Sequence, residues 1–324
     1  MRYLSSGPAS VGAVGLAAVL LSTVACAPPA DPVAAVSVSP ARVTLRYSEV
    51  RPIDLDFEIL APWRGDLEPR VFVHLYAEPG NILRTFDHPF PTEWVPGERV
   101  HRRLWLHQSA LGPALRAGRY ALSIGLYDAS GRRSPLRVDG ELEGKEVEEM
   151  EYELAEITVS EPTDVPMFRF SEAWKPIEAG QDRQILGRRW LVDEGSIWVT
   201  QASEVNSVWM RLQLPAAQAG ATRLTLEEGA DQPRLRLYSA CGEVEGELVG
   251  TGTHEALVPV AGAAATETGE CEIVFRPNYR LVVNGGVERR AVLLEGLAWS
   301  VEPESRIGVA GSPRPAPTPP SSSG

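Results

Sequence analysis

In the segment IDLDFEIL, residues 53–60, Ile53, Leu55, Phe57 and Ile59 fall at every second position, with Asp54, Asp56 and Glu58 between them. Successive side chains of an extended strand point to opposite faces, so this segment buries one face and wets the other only as a strand. The alternation recurs in RVTLRY, RVFVHLYAE, RRLWLHQ and GRYALSIGLYD, which are divided by Pro- and Gly-bearing segments such as AEPGN, WVPGE and DASGRR. Short strands at regular spacing predict an antiparallel β-sandwich.

The second half repeats the pattern in GSIWVTQ, SVWMRLQLP, TRLTLEE, RLRLYSAC, CEIVFRP, YRLVVNG and AVLLEGLAWSVE, and no segment carries a sustained helical period. At 324 residues the chain exceeds what one core usually absorbs. The expectation is an all-β protein of two antiparallel sandwiches, the first immunoglobulin-like over residues 41–160 and the second jelly-roll-like over 167–307. A linker lies at 161–166, and a Pro/Ser-rich tail expected to be disordered lies at 308–324.

Two local features sharpen the first sandwich. Gly118 stands two residues before Tyr120, and Tyr120 two before Leu122, as in the tyrosine corner of immunoglobulin-like sandwiches; Tyr120 is therefore expected to be a structural hydrogen-bonder. In EEMEYELAEITVS the apolar phase changes from Met150, Tyr152 and Leu154 to Ile157 and Val159, which predicts a bulge or bend near Ala155.

The chain has three cysteines, an odd number. Arg2 and the apolar run VGAVGLAAVLL read as an export signal over residues 1–25, because that run is shorter than the roughly 20 residues a membrane span requires. STVAC resembles the lipobox of bacterial lipoproteins, departing from it at Thr23. The resemblance implies that Cys26 is diacylated and begins the mature chain, with residues 26–40 a lipidated cysteine and flexible spacer. It places the protein in the cell envelope: the outer membrane is favoured where one exists, since Ala27 rather than Asp follows the cysteine, and otherwise the outer face of the cytoplasmic membrane. A plain secretory signal with a free cysteine is the other reading. Cys241 falls in phase with Leu235, Leu237 and Ser239, and Cys271 with Ile273 and Phe275, so both thiols point to a core. An oxidising compartment then favours a Cys241–Cys271 disulfide over two separate buried thiols.

The chemistry-bearing motifs are absent: no HExxH, GxSxG, P-loop or GxGxxG opening a helix occurs. No cofactor or metal is expected. The histidines His74, His88, His101, His107 and His254 are scattered and read as surface or turn residues; His101 and His107 share a strand face about 20 Å apart, too far to chelate one ion. The run GELEGKEVEEMEYELAE lacks the Asp/Asn/Gly pattern of a calcium loop and reads as a charged sheet edge. A formal charge of −12 argues against nucleic acid. Aromatic residues give the better lead. Trp209 is out of phase with Val208, Met210 and Leu212, so it shares a face with Arg211, and Trp198 alternates with Ile197 and Val199. Trp190, Trp198, Trp209 and Arg211 are the candidate ligand surface, since an indole face can stack on a sugar while polar neighbours bind hydroxyls. Burial of these rings at the core edge or between domains is the competing reading.

Residues 50–140, through VFVHL, Trp94, Pro96, Gly97, Glu98, Gly118, Tyr120 and Gly125–Asp128, resemble a β-sandwich region appended to bacterial membrane glycosyltransferases and related envelope polysaccharide proteins. AWKPIEAGQDRQILGRRW and ERRAVLLEGLAW echo it further on. The multi-span catalytic part of those enzymes has no counterpart in this chain, so the resemblance implies an accessory module with no catalytic residues. The functional expectation is a non-enzymatic, lipid-anchored envelope protein with an accessory or binding role linked to surface polysaccharide. The alternatives are an assembly subunit binding a protein partner and a glycoside hydrolase whose carboxylates converge only in the fold.

Overall fold

A computed structural model of the chain describes residues 31–140, 144–180, 185–200, 204–215, 223–241, 243–260, 269–283, 288–303 and 307–309. Residues 1–25, Cys26 and the tail beyond Val309 lie outside them. Every regular element described is a strand. The first twelve are β1 (Ala34–Ser39), β2 (Arg42–Leu45), β3 (Val50–Ile59), β4 (Pro69–Tyr76), β5 (Ile82–Thr85), β6 (His88–Pro89), β7 (Arg99–His107), β8 (Gly118–Asp128), β9 (Arg133–Ser134), β10 (Leu136–Val138), β11 (Glu146–Glu148) and β12 (Glu151–Val159). They form a four-stranded sheet, β10-β1-β3-β7, facing an eight-stranded one built along β11-β12-β8-β4-β5. The register of β3 follows its alternation: Ile53, Leu55, Phe57 and Ile59 are buried against Val71, Val73, Leu122 and Ile124, while the acids face outward. Pairing is antiparallel except for β1 with β10 and β2 with β12, which are parallel.

Tyr120 makes the expected bond, its hydroxyl donating to the Arg116 carbonyl at 2.7 Å. Tyr120→Phe is expected to lower the stability of the first sandwich by about 1 kcal/mol, read as a shift in the denaturation midpoint. The register of β12 against β8 slips between Glu153 and Ala155, which places Leu154 and Ala155 both in the core and accounts for the change of phase.

The expected spacer at 26–40 is corrected. Its second half is β1, hydrogen-bonded on one side to β3 and on the other to β10, with Val33, Ala34 and Val36 fully buried. The small apolar residues that suggested a solvated tether instead fill an interior position in the sheet.

The second set of strands is β13 (Phe168–Phe170), β14 (Glu178–Ala179), β15 (Gly187–Leu191), β16 (Gly195–Thr200), β17 (Ser207–Leu214), β18 (Arg223–Leu226), β19 (Arg234–Ser239), β20 (Val244–Val249), β21 (Gly252–Pro259), β22 (Glu270–Pro277), β23 (Tyr279–Val283), β24 (Glu288–Arg290), β25 (Val292–Ser300) and β26 (Gly308–Val309). They give a five-stranded sheet, β13-β16-β22-β19-β20, a six-stranded sheet, β14-β15-β25-β17-β21-β26, and a small sheet, β18-β23-β24. Gly308 and Val309, expected in the tail, pair with Leu257 and Ala256 instead. The Cys241–Cys271 disulfide is formed, with Cα atoms 5.6 Å apart, and joins the turn after β19 to the start of β22.

The two sandwiches belong to one compact unit, Pro32–Gly324, and meet across a dense joint. Val50 and Trp105 of the first pack with Trp209, Leu257 and Ala298 of the second in a separate hydrophobic cluster. Leu111, from the loop after β7, is buried in the second core. The backbone is continuous across the joint: Ala110 N–H donates to Leu297 O and Trp299 N–H to Ser48 O, each at 2.7 Å. The Arg46 guanidinium lies 4.4 Å above the Trp299 ring and pairs with Glu204 at 2.8 Å. Contacts of this kind fix the relative orientation of neighbouring domains.

Candidate functional site

The four residues expected to form a ligand surface do not come together. Trp198, on β16, lies on the outer face of the five-stranded sheet, where Arg169 covers its ring at 4.2 Å and pairs with Glu270 at 2.6 Å. Trp190 and Trp209 belong to the six-stranded sheet. Trp190 is half-buried beneath Arg290, 4.7 Å from the ring centroid. Trp209 is fully buried. Its strand phase is as expected, opposite to the core-facing Met210 and Leu212, but the outer face of its sheet is covered by the first sandwich. Gly296 on the neighbouring β25 makes room for it: a Cβ there would lie 2.7 Å from Trp209 Cζ3.

Trp198 lines an open hollow on its sheet face with Arg169 and Phe170, whereas Arg211 reaches a cleft between the sandwiches. Where β7 and the segment Phe86–Pro89 of the first sandwich meet β17 and β21 of the second, a cleft of about 280 Å³ opens. The guanidinium groups of Arg102 and Arg211 line it. His88, Trp105, His107, His254, Asp87 and Glu255 line it with them, and the Asp87 carboxylate accepts from Val73 N–H at 3.3 Å and lies 3.7 Å from His74 Nε2. Arg211 Nε stands 3.6 Å from Glu295 Oε2.

Many of its polar atoms are enclosed yet unpaired. His88 Nε2, Trp105 Nε1, His107 Nδ1 and His254 Nε2 have no hydrogen-bond partner among the described residues. His88 is 8 % exposed and Trp105 4 %. The other ring nitrogen of His88, Nδ1, lies 3.1 Å from the Phe86 carbonyl. As a carbonyl only accepts, a neutral His88 donates from Nδ1 and leaves Nε2 as an acceptor facing the cleft. Trp105 Nε1 is a donor only.

The electrostatics are set by burial. It pushes His88 down to about 4, with Arg102 and Arg70 adding to the shift. The His107 ring, stacked 4.4 Å from Trp209 and edge-on to Phe86, is pushed down to about 3 by burial and by Arg211 and Arg84. Part of the residue's surface remains accessible, but Nδ1 is wholly enclosed. Burial also lowers His254. It raises the Glu255 carboxyl against the pull of Arg211 and Arg102. At neutral pH the imidazoles are uncharged, so the charges of the cleft come from its arginines and from Asp87 and Glu255.

A second polar cluster lies on the outer face of the eight-stranded sheet. Glu151 Oε1 accepts from Ser123 Oγ at 2.5 Å and lies 3.1 Å from His74 Nδ1, with Arg133 3.5 Å from Oε2. Burial opposes the carboxylate, but the bonds from His74 and Ser123 outweigh it and hold Glu151 below its usual range. These are the residue types of a nucleophilic triad without its geometry, since Ser123 is fully buried and donates to the acid rather than to the imidazole. The cluster corrects two expectations: Glu151 leaves the solvated glutamate run for the interior, and of the five histidines only His101 is exposed. Among the described residues no group of three or more metal-ligating side chains is placed to hold an ion.

No family model matches this chain, and no curated protein does. Solved structures give partial overlaps. CBD12 from CALX1.2 is 13 % identical and overlaps 79 % of this chain and 81 % of its own, at a TM-score of 0.22. The adhesin InvE of Yersinia pseudotuberculosis is 11 % identical over 81 % of this chain and 58 % of that one, at 0.22. The alkylpurine DNA glycosylase AlkC of Pseudomonas fluorescens is 17 % identical over 38 %, at 0.19, and this chain spans about a third of its length, 31 %. At scores this low, nothing about this chain follows from what those proteins do.

Sequence reading missed Arg102, His88, His107 and His254 as cleft residues because they lie on strands and turns up to 166 positions apart, from His88 to His254. The single pointer was the out-of-phase pair Trp209 and Arg211, one buried behind the cleft and the other lining it.

Proposed function

We propose that this protein is a lipid-anchored, non-enzymatic binding protein of the cell envelope, fastened through Cys26, whose inter-sandwich cleft takes an acidic saccharide of surface polysaccharide. The observation that carries the reading is the set of unpaired, enclosed polar atoms beside two guanidinium groups. Arginine suits a carboxylate, and an imidazole acceptor with an indole donor suits sugar hydroxyls. Aromatic walls from Phe86 and Trp105 suit the C–H faces of a ring. The volume of about 280 Å³ falls just below the range of about 300 to 1,000 Å³ for small-molecule sites, which fits a short saccharide end rather than a long chain.

Calorimetric titration with a uronic-acid disaccharide and its carboxyl-reduced form tests this. The acidic form is expected to bind, the reduced form at least about tenfold more weakly, and Arg102→Ala and Arg211→Ala each to lose about tenfold or more, since a hydrogen bond to a charged group contributes roughly 1.5–3 kcal/mol. Equal binding of both forms would remove the carboxylate from the account. Loss on Trp198→Ala instead would move the site to the outer face of the five-stranded sheet. A stoichiometric protein partner with no saccharide response would favour the assembly-subunit reading.

One observation favours a hydrolytic reading: Asp87 and Glu255 both line the cleft, and Glu255 is biased toward its protonated form, as a general acid must be. New reducing ends that vanish on Glu255→Gln while binding persists would establish it.

A further inference from the structure

The loops at one end of the first sandwich gather exposed apolar side chains. Six large apolar residues are exposed among the described residues, and three of them are here: Leu60 at 38 %, Leu67 at 49 % and Val95 at 39 %. Trp63 and Trp94 lie among them with ring centroids 5.1 Å apart, and Trp94 packs inward on Phe90 at 4.8 Å. Both indole N–H groups are already used: Trp63 Nε1 donates to the Leu67 carbonyl at 2.7 Å and Trp94 Nε1 to the Ala61 carbonyl at 2.8 Å. Gly97 N–H donates to Ile59 O at 2.7 Å and ties the two loops together. The tip therefore offers hydrocarbon with its indole donors satisfied, so an apolar medium can take it up without stranding them.

The chain enters the sandwich at this same end. The Val33 carbonyl accepts from Leu60 N–H at 2.9 Å and Ala61 N–H at 3.1 Å. Because β1 absorbs Ala34–Ser39, six peptide steps separate Cys26 from Pro32. Fully extended they reach about 22 Å at most. The far end of the ten-residue β3 lies roughly 30 Å further on.

We propose that this tip, Leu60, Trp63, Leu67, Trp94 and Val95, rests in the interfacial layer of the bilayer that holds the lipidated Cys26. The inference depends on the lipid-anchor reading. Tryptophan and aliphatic side chains partition to that layer, and Arg64, Glu68, Glu93 and Glu98, all exposed in the same loops, stand at headgroup level. One arginine against three glutamates leaves a net charge of −2, so anionic lipid adds no attraction and the contact rests on the apolar side chains.

The full-length protein, purified from membranes and reconstituted in phosphatidylcholine vesicles with and without brominated acyl chains, provides the test. Mass spectrometry of the N-terminal peptide is read on the same sample. Acylated Cys26 with bromine quenching of tryptophan emission that falls by half or more in Trp63→Phe/Trp94→Phe is the expected result. Leu67→Glu, at an exposed site that leaves the core intact, is expected to weaken the quenching as well. Acylated protein whose quenching is the same in all three forms would overturn the membrane-resting tip and leave the anchor standing. A free Cys26 thiol would overturn the anchor, and the tip's placement with it.

Discussion

Lowering the pH from 7 to 5 is expected to cost the folded chain about 4 kcal/mol through two histidines of the cleft. His88 and His107 stay neutral in the fold, at about 4 and about 3, whereas an ordinary histidine titrates at 6.5. Between those limits the unfolded chain binds two protons that the folded chain does not, so stability falls as the pH drops, by roughly 1.4 kcal/mol per unit for each imidazole. The loss begins near 6.5 and ends near 4 for His88 and near 3 for His107. Urea denaturation at half-unit pH intervals reads it. His107→Phe is expected to halve the slope between pH 6 and 5, and an unchanged slope in that variant would mean that the imidazole is not held neutral.

Trp209→Ala is expected to destabilise the protein by about 3 to 5 kcal/mol, the usual cost of emptying a fully buried tryptophan site. Its second effect is more specific. The ring separates the two sandwiches and stacks on His107, so its removal should readmit water to that imidazole, return its titration toward 6.5 and flatten the same pH slope. Scanning calorimetry should also resolve two transitions in place of one as the joint loosens. Trp198→Ala, on an outer sheet face, serves as the control and should leave the slope and the single transition intact.

What could be read from the sequence followed strand periodicity. The burial of Ile53, Leu55, Phe57 and Ile59, the Tyr120 bond, the bulge at Ala155 and the Cys241–Cys271 bridge all follow from the direction of side chains along one strand. What could not be read was what covers a face once it is formed. Periodicity places Trp209 opposite the core of its own sandwich, and only the docking of the first sandwich turns that face into an interior. The same limit hid Glu151, whose wet-looking face is roofed by His74 and Arg133, and β1, whose alanines resemble a tether until two neighbouring strands are in place. The cleft is a product of that docking, so its histidines and arginines carry no mutual signal along the chain.

The disulfide has a bearing on the cleft as well. β20 pairs with β19 in the five-stranded sheet, β21 crosses to the six-stranded sheet carrying His254 and Glu255, and β22 returns to the first of these sheets. Cys241 and Cys271 close this excursion at its base. The strand that supplies one wall of the cleft is therefore part of a covalent ring, and a protease that nicks the backbone once on either side of that strand leaves one molecule, with that wall still attached through its other end.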